Sequence, residues 1–382
     1  MEEKFKRILE YVKIVDCCAI ASNDIKNDMK TCSGHILKLS RIPGVCDLNK
    51  VYSGFRIEME KDDLSRIDPN QKLILLTERG MMLSKRYYVF RIELILQFDY
   101  FTYDELFKVF LPENARVGAY EVVGDVIHLN LNEEQAKYKE IIGFILHNKT
   151  GKTVVNKTGK IDNVYRNYEL EVLQGDDRDA METIVLENGI KMVVDLKSVY
   201  WCSRLQGERS KLISEILQGG SNQIICDCFC GVGPHALPLA KAGCVVYAND
   251  LNSAAISCLK KSAKLNQIAC TEMNESDLNT VHSSRIFISN QDASLYLSQL
   301  TDIPIDHFIF NLPEYSLEYV KHLRQFSHQF TLHAYFFVRK NENSIDLVRI
   351  KTGVSNPTVT FVRDVSPSKS VYKLTATRND LV

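Results

Sequence analysis

The sequence has almost no net charge, no long apolar run and an odd number of cysteines. Among its 382 residues, 47 basic and 48 acidic side chains give a formal charge of −1. No global field therefore draws the chain toward nucleic acid, and such a partner would have to be held by a local basic face. No uninterrupted apolar run reaches the roughly 20 residues that a membrane-spanning helix needs, so we expect no membrane partner.

The amino terminus lacks the features of a targeting segment. Glu2 and Glu3 stand where a secretory signal or a mitochondrial transit peptide would be basic, and Lys13 and Asp16 interrupt the apolar stretch that follows. Eleven cysteines at scattered spacings fit free thiols in a reducing compartment. We therefore expect a cytoplasmic protein, with the nucleus and the mitochondrial matrix left open.

The pattern of elements predicts three domains. Residues 1–92 have a helical start and a strand at 72–80 but no chemical motif, and residues 93–195 mix strands and helices, so both are predicted to be smaller α+β domains. In residues 196–382 strands alternate with helices, which predicts a mostly parallel sheet covered on both faces. The pattern ends in a predicted antiparallel hairpin, the arrangement of a Rossmann-like methyltransferase fold by analogy.

Local signals place elements in the middle region. Strands are predicted on either side of Gly124-Asp125, and a hairpin is predicted to turn at Asn188-Gly189. Between them, the segment 133–148 has the pattern of one amphipathic helix with Asn132 as its N-cap.

Three cysteines alternate in the stretch "CDCFC". Cys226, Cys228 and Cys230 would be candidate ligands for a soft metal ion. On one face of a strand, however, successive side chains lie roughly 7 Å apart, which is too far for three of them to share one tetrahedral ion. We therefore interpret them as core thiols of a buried strand and predict no metal site.

A glycine loop follows these cysteines. Gly231-x-Gly233-x-x-Ala236 satisfies the dinucleotide fingerprint, so NAD is one candidate cofactor. Two details favour S-adenosylmethionine. Asp227 stands four residues before Gly231, which is typical of class I methyltransferases, and Pro234 removes an N–H that a pyrophosphate would use.

Two further polar residues end predicted strands. Asp250 ends the next strand, where a carboxylate can accept hydrogen bonds from ribose hydroxyls of either cofactor. Asn311, in "NLPEY", offers a donor and an acceptor to the edge of a planar base. Each residue alone would also fit an ordinary helix cap or strand end.

Six blocks in the same order resemble the archaeal and eukaryotic tRNA (guanine-37-N1)-methyltransferases. They are "YEVVGDVIHLNL", "VVNKTGKIDNVYRNYELEVLQG", "VYWCSRLQGER", "DCFCGVGP", "YANDLN" and "NLP". The resemblance runs from about residue 118 to 320. It implies a class I, S-adenosylmethionine-dependent enzyme that methylates N1 of guanosine 37 in tRNA, with residues 93–195 contributing to tRNA binding. Residues 1–92 match only loosely and carry no chemical motif, so we expect them to serve packing or docking.

The resemblance also implies catalytic roles. Glu208 would be the general base that removes the N1 proton, because N1 is protonated at neutral pH and is a poor nucleophile until it loses that proton. Arg166 would hold the guanine oxygen O6 against the charge that develops there. Asn311 would fix the base edge. Without the resemblance, Glu208 would be an ordinary helix-start acid and Arg166 a surface cation.

Cofactor contacts follow from the loop and from the resemblance together. Asp227, Gly231 and Gly233 form the predicted cofactor loop, and the resemblance adds contacts that are listed here: Arg209, Asp250, Leu251, Asp292, Ala293 and Asn311. Alanine at 293 replaces the usual glycine of the family's Asp-Gly block.

A basic stretch supports an RNA substrate. "HNKTGKTVVNKTGK" holds four lysines and no acid, Lys149, Lys152, Lys157 and Lys160. Together with Arg166 and Arg204 they are candidate phosphate contacts, which anchor RNA without reading its sequence. A lysine-rich loop is equally compatible with a solvated surface.

Three other functions remain open at this point. A related wybutosine-pathway enzyme transfers the aminocarboxypropyl group of the same cofactor, but that branch typically lacks the Asn-Leu-Pro block. A non-catalytic tRNA-binding protein would not need Glu208, Asp250 and Asn311 together. An NAD-dependent enzyme would be separated by cofactor titration. No obligatory protein partner is implied, so we expect a monomer.

Overall fold

The computed structural model describes residues 11–20, 25–77, 87–158, 169–177, 181–273 and 285–381. The chain groups into two compact units. The first comprises residues 1–118 and 132–151, and the second comprises residues 119–131 and 152–382. The division into domains 1–92, 93–195 and 196–382 stays a prediction.

In the described part of the first unit, five strands form an antiparallel sheet in the order β2-β4-β1-β5-β3. They are β1 (Tyr11–Ile20), β2 (Val45–Asp47), β3 (Phe55–Met59), β4 (Lys72–Leu75) and β5 (Val89–Leu96). Leu73, Leu75, Ile92 and Leu94 form the centre of its core, because alternate side chains of a strand face the same side. The strand predicted from residue 72 is confirmed as β4, which ends at Leu75, and residues 78–80 of the predicted segment lie outside the described residues. The predicted helical start lies outside the described residues, except that Val12 belongs to β1.

Helices complete the first unit. They are α1 (Ile25–Cys32), α2 (Lys61–Leu64), α3 (Tyr103–Phe110), α4 (Glu133–Ala136) and α5 (Lys139–Thr150). Asn132 caps α4 in a reciprocal arrangement with Gln135, as its position predicts. The single helix predicted over this segment is two helices, because the chain turns between Ala136 and Lys139.

The second unit begins with two small sheets. Their strands are β6 (Glu121–Val123), β7 (Val126–Leu129), β8 (Thr153–Thr158), β9 (Glu169–Gln174), β10 (Glu182–Glu187) and β11 (Ile190–Asp195). Strands β6 to β9 pair in chain order, and β10 pairs with β11. The turn between β10 and β11 has φ of 51° at Asn188 and 78° at Gly189, which confirms the predicted hairpin.

The largest described sheet has eight strands in the order β14-β15-β13-β12-β16-β17-β19-β18. They are β12 (Ile224–Asp227), β13 (Val245–Asn249), β14 (Cys270–Glu272), β15 (Ile286–Ser289), β16 (His307–Phe310), β17 (Thr331–Arg339), β18 (Thr358–Ser366) and β19 (Lys369–Thr377). Strands β12 to β17 pair in parallel, and β19 runs antiparallel to β17 and β18. The mostly parallel sheet with a closing hairpin is as predicted.

Helices cover both faces of this sheet. They are α6 (Gln206–Leu217), α7 (Ala236–Lys241), α8 (Ser253–Leu265), α9 (Ala293–Gln299), α10 (Ser316–Tyr319) and α11 (Ser344–Thr352). Neighbouring strand residues alternate between two cores. Ile225 belongs to the core that includes α6, α7 and α8, and Cys226 belongs to the core that includes α9 and α10. The structure thus confirms the predicted two-sided coverage.

The three alternating cysteines are all buried. Cys226 and Cys228 lie in the core beside α9, as residues on one face should. Cys230 lies in the opposite core, because β12 ends at Asp227 and the strand alternation ends with it. The expectation that all three share one face is therefore wrong for Cys230. In the described parts of the chain, no helix is long and apolar enough to cross a membrane.

Candidate active site

Polar residues gather at one edge of the large sheet. Asp227 is the last residue of β12, Asp250 follows β13, and Asn311 follows β16. Asp292 comes three residues after the end of β15. Because these strands are parallel, their carboxyl ends meet at the same edge, which is where open α/β sheets bind ligands.

The two glycines of the loop have different tasks. Both are in the left-handed region, with φ of 54° at Gly231 and 91° at Gly233. A Cβ atom at Gly231 would have no neighbour within 4 Å, whereas one at Gly233 would clash with Cδ1 of Leu259. Gly233 therefore allows α8 to pack against the loop, and Gly231 leaves open space on the outside of the loop.

Asp250 holds the glycine loop. Its Oδ2 accepts the N–H of Gly231 at 2.8 Å, and its Oδ1 accepts the N–H of Asn252 at 2.9 Å. Burial raises the pKa of Asp250, and these two N–H groups oppose the shift. An ionised carboxylate has about four acceptor positions, so about two remain for hydroxyl groups of a ligand.

Asp227 is fully buried beneath this loop. Burial, and next the charge of Asp250, raise the pKa of Asp227 to about 8. The N–H of Phe229 opposes this shift, but neither carboxyl oxygen of Asp227 has a partner at hydrogen-bonding geometry. His235 Nδ1 lies 3.9 Å from Oδ2, but burial lowers the pKa of His235 to about 3, so the imidazole is neutral. A cationic group placed beside this carboxyl would favour its charged form and would supply the donors that its two oxygens lack.

Two asparagines that no sequence motif marked connect neighbouring loops. Asn249 donates to the carbonyl oxygens of Cys228 and Gln291 at 3.3 and 3.1 Å. Asn290 donates to the carbonyl oxygens of Asp250 and Leu251 at 2.7 and 3.1 Å. Both asparagines stand at predicted strand ends, which is the one signal that would have singled them out.

Three further residues predicted to contact the cofactor, Leu251, Asp292 and Ala293, differ in their exposure and contacts. Leu251 is 48% exposed, so an apolar surface stands directly beside the carboxylate of Asp250. Asp292 caps α9, because its Oδ1 accepts the N–H of Ser294 at 2.8 Å, and the Ser294 hydroxyl and this N–H lower the pKa of Asp292. Ala293 is buried as the first residue of α9.

Asn311 has its amide available. The loop around it is held by Ser316, whose hydroxyl donates to the carbonyl oxygen of Phe310 and accepts the N–H of Leu312, both at 3.0 Å. The half-buried amide of Asn311 makes no hydrogen bond to the residues that the structure describes. A fixed loop thus presents a free donor and a free acceptor.

Glu208 lies in the first turn of α6 and is half-buried. The hydroxyl of Tyr335, from β17, donates to Oε1 of Glu208 at 2.9 Å. Tyr335 is 3% exposed, and burial first, then the charge of Glu208, raise its pKa. The phenol therefore stays protonated and acts as a donor. Sequence analysis did not single out Tyr335, which is 127 residues from Glu208.

Arg209 is committed to protein contacts. Its Nε donates to Oε1 of Glu187 at 2.8 Å, its Nη2 donates to Oε2 of Glu187, and its Nη1 donates to the carbonyl oxygen of Cys202 at 3.1 Å. The guanidinium lies 4.8 Å from the ring centroid of Trp201. This bidentate pair joins the β10–β11 hairpin to α6, so the structure supports a positioning task. A cofactor contact for Arg209 stays a prediction.

The predicted phosphate contacts have different surroundings. Lys149 donates to the carbonyl oxygen of Phe98 at 2.6 Å in the first unit, and Lys152 donates to that of Gly124 at 2.7 Å in the second. Burial lowers the pKa of Lys149 and of Lys157, a half-buried residue of β8. Arg204 is exposed in a one-turn 3-10 helix before α6. Lys160 and Arg166 lie outside the described residues.

Comparisons with known proteins establish the family. The TRM5/TYW2 methyltransferase domain model matches residues 183–352, and the TYW2 N-terminal domain model matches residues 104–178. A tRNA (guanine(37)-N(1))-methyltransferase of Encephalitozoon cuniculi is 39% identical over 373 residues, which cover 96% of each chain. The chain belongs to the tRNA (guanine(37)-N(1))-methyltransferase family.

Another curated relative is longer than this chain, and the similar solved structures are more distant in sequence. The Dictyostelium discoideum tRNA (guanine(37)-N(1))-methyltransferase is 34% identical over 308 residues, which cover 74% of this chain and 63% of that protein. The solved complex of aTrm5 and tRNALeu has a TM-score of 0.63 at 21% identity and covers 94% of this chain and 98% of that one. Trm5b of Pyrococcus abyssi has a TM-score of 0.55 at 20% identity, with the same coverage. At these identities the solved structures show the fold alone.

The family's expected site residues are therefore distributed over two sets of elements. Asp227, the glycine loop, Asp250 and Asn311 stand at the carboxyl edge of the parallel sheet. Glu208 stands on α6, the helix that precedes β12, and is held by β17. The residues predicted from local motifs thus lie at the sheet edge. The hydrogen bond that holds Glu208, in contrast, joins residues that are distant in the chain.

Proposed function

We propose that the protein transfers the methyl group of S-adenosylmethionine to N1 of guanosine 37 in tRNA. The observation that carries this proposal is the carboxylate of Glu208, held at Oε1 by a neutral tyrosine and supplied by the same unit as the glycine loop and Asn311. Full-length similarity to a tRNA (guanine(37)-N(1))-methyltransferase supports the same reaction.

The loop residues fit the cofactor. S-adenosylmethionine supplies an electrophilic methyl group on its sulfonium centre. Asp250 has acceptor positions left for ribose hydroxyls, and Leu251 offers an apolar surface to the adenine ring. The unsatisfied carboxyl of Asp227 suits the ammonium group of the amino-acid end. Arg209, Asp292 and Ala293 complete the proposed cofactor set.

Glu208 is the proposed general base. Guanine N1 carries a proton at neutral pH, and Glu208 takes this proton so that the N1 electron pair is free to accept the methyl group. The N1–H bond breaks toward the carboxylate, which becomes a carboxylic acid. Arg166 is the proposed donor to O6, where negative charge develops as the proton leaves.

Asn311 orients the base. Its amide offers a donor and an acceptor on a loop fixed by Ser316, which matches the mixed donor and acceptor edge of guanine. The tRNA is the proposed substrate of a monomeric enzyme, and a related solved structure is described as a complex of aTrm5 and tRNALeu. Arg204, Lys149, Lys152, Lys157 and Lys160 are proposed phosphate contacts. The compartment stays a prediction, cytoplasmic with nuclear and mitochondrial pools open.

Aminocarboxypropyl transfer to tRNA is the second candidate, and the TYW2 N-terminal domain match over residues 104–178 favours keeping it. The Asn-Leu-Pro block at Asn311 favours methyl transfer. Mass spectrometry of nucleosides from modified tRNA separates the two products directly.

The decisive experiment incubates the protein with labelled S-adenosylmethionine and tRNA transcripts that carry guanosine, adenosine or inosine at position 37. We expect methylation at N1 with guanosine, and a loss of about 10²- to 10⁴-fold in single-turnover rate for Glu208→Gln, because general-base catalysis contributes about that much. Glu318→Gln, an exposed acid on α10, is the matched control and should keep the wild-type rate. A wild-type rate in Glu208→Gln would contradict the assignment of the base.

A further inference from the structure

The contact between Tyr335 and Glu208 joins the large sheet to the helix that carries the proposed base. Tyr335 lies in the middle of β17, and its ring belongs to the core between the sheet and α6, together with Leu212 and Ile216. Its hydroxyl is 2.9 Å from Oε1 of Glu208. The tyrosine is thus fixed by packing before it donates its hydrogen bond.

A second contact fastens the same helix farther along. Lys373 stands directly opposite Tyr335 in the pairing of β17 with β19, and its Nζ lies 2.6 Å from Oε2 of Glu215. Glu208 and Glu215 are seven residues apart, which is about two turns of a helix, so they lie on the same side of α6. Two acids on one face of α6 therefore meet two partners on one face of the sheet, which sets the rotation of the helix.

The hydrogen bond distinguishes the two oxygens of Glu208. Tyr335 occupies Oε1, while Oε2 makes no hydrogen bond to the described part of the chain. A phenol that stays protonated donates to a carboxylate and stabilises its charged form. The arrangement therefore fixes one carboxyl oxygen of Glu208 and leaves the other for a substrate proton.

We propose that Tyr335 is a positioning residue for the general base, holding Oε1 of Glu208 so that Oε2 faces the N1 proton of guanine. This proposal rests on the proposed function, because it requires Glu208 to be the base. Tyr335 itself touches neither guanine nor cofactor in this role.

The titratable groups around this pair have partners of their own. On α6, Arg209 is paired with Glu187, and Glu215 is paired with Lys373 of β19. On β17, burial lowers the pKa of His333 to about 3, so it is neutral. On β16, burial also lowers the pKa of His307, whose Nδ1 is 3.0 Å from Nε2 of His333. The hydrogen bond to Glu208 is therefore the contact that a substitution of Tyr335 removes.

The test compares Tyr335→Phe with the wild type in single-turnover methylation of a guanosine-37 transcript from about pH 5 to pH 9. Loss of the donor should raise the midpoint of the acid limb by about one pH unit and lower the plateau rate by about tenfold, because a donor to the charged form of an acid lowers its pKa. The KM for tRNA and the Kd for S-adenosylmethionine should not change. Tyr372→Phe, on the neighbouring strand β19, is the matched control and should keep the wild-type profile.

A second substitution tests the proposal if Tyr335→Phe folds poorly. Replacement of Tyr335 by 3-fluorotyrosine keeps the ring and makes the phenol a stronger donor, so the acid limb should move to lower pH. An unchanged midpoint in both proteins would overturn the proposal, even if the plateau rate fell. Glu208→Gln distinguishes a failure of the positioning role from a failure of the proposed base. If Glu208→Gln is inactive and the midpoint does not move in the Tyr335 variants, only the positioning role fails; if Glu208→Gln is fully active, the proposed base fails.

Discussion

At the residue scale, Asp227 is the side chain whose surroundings depart most from an ordinary carboxyl group. It is fully buried at the end of β12, and its pKa is raised to about 8. The folded state therefore binds a proton that the unfolded chain, with a carboxyl pKa near 4, releases. The contribution of Asp227 to the free energy of unfolding is therefore greatest below its pKa in the unfolded chain, and it is lost as the pH rises from about 4 to 8.

Asp227→Asn should remove this dependence. In the absence of cofactor, the free energy of unfolding of the variant minus that of the wild type should increase by on the order of 1 kcal/mol per pH unit between about pH 5 and pH 8. Denaturant titrations at several pH values measure the difference. Parallel pH profiles for the two proteins would show that Asp227 does not titrate in this range. Binding of S-adenosylmethionine should weaken in the variant, because the proposed partner of its ammonium group is lost.

The two loop glycines give a second prediction at this scale. Gly233→Ala should lower the free energy of unfolding by more than about 2 kcal/mol, because the new methyl group meets Leu259 at a positive φ. Gly231→Ala should cost only about 1 kcal/mol, since its surroundings are open and only the positive φ is unfavourable.

Cofactor affinity should follow the opposite order among folded proteins. Gly231→Ala places a methyl group where we expect the ligand to approach the backbone. It should therefore raise the Kd for S-adenosylmethionine more than Gly233→Ala does, although it lowers the stability less. Equal effects of the two substitutions on stability would contradict the division of tasks between the glycines. Calorimetric titration and thermal denaturation measure the two quantities independently.

At the element scale, α6 is held by contacts with three other elements. The Arg209–Glu187 pair joins it to the β10–β11 hairpin, Tyr335 joins it to β17, and Lys373 joins it to β19. The side chains of Arg209 and Glu187 are 6% and 5% exposed. A charge of this pair left alone would therefore be buried without a partner.

Glu187→Gln should thus be strongly destabilising, by about 3–5 kcal/mol, because it leaves the guanidinium of Arg209 uncompensated. The double substitution Glu187→Leu with Arg209→Met should recover much of that loss, since buried pairs can often be replaced by apolar residues of similar volume. Chemical denaturation of both proteins measures the effect. If the double variant is no more stable than Glu187→Gln, the buried charge is not the cause. Normal S-adenosylmethionine affinity in the folded double variant would argue against a cofactor contact for Arg209.

The elements themselves were largely predictable because their signals are local. The alternation of strands and helices after residue 196, the cap at Asn132 and the turn at Asn188-Gly189 each depend on a few neighbouring residues. The break after Ala136 was missed, because an amphipathic pattern continues across it. The opposite placement of Cys230 was missed, because strand alternation was assumed beyond the end of β12.

At the scale of the whole molecule, the β10–β11 hairpin is part of the second unit's core. Met192 and Val194 share that core with Leu259 of α8, and the N–H of Val193 donates to the hydroxyl of Ser262 at 2.8 Å. The methyltransferase family model likewise begins at residue 183. The hairpin lies before residue 196, where the third domain was predicted to begin.

We therefore expect a fragment of residues 181–382 to be more stable than one of residues 196–382. Removal of β10 and β11 exposes the apolar side of α8 to water and takes away the hydrogen bond from the N–H of Val193 to the Ser262 hydroxyl, and both losses lower the stability of this core. Circular dichroism melting and binding of a hydrophobic dye compare the two fragments. Equal melting temperatures would show that the hairpin is dispensable for this core.

The sequence by itself determined the alternation of strands and helices after residue 196, the place of the glycine loop and the acids at strand ends, because each depends on residues close together in the chain. Only the tertiary structure decided that Tyr335 meets Glu208 and that Arg209 pairs with Glu187. It also decided that Lys149 and Lys152 donate to backbone carbonyls. These contacts join residues distant in the chain, and burial and packing rather than local pattern select the partners.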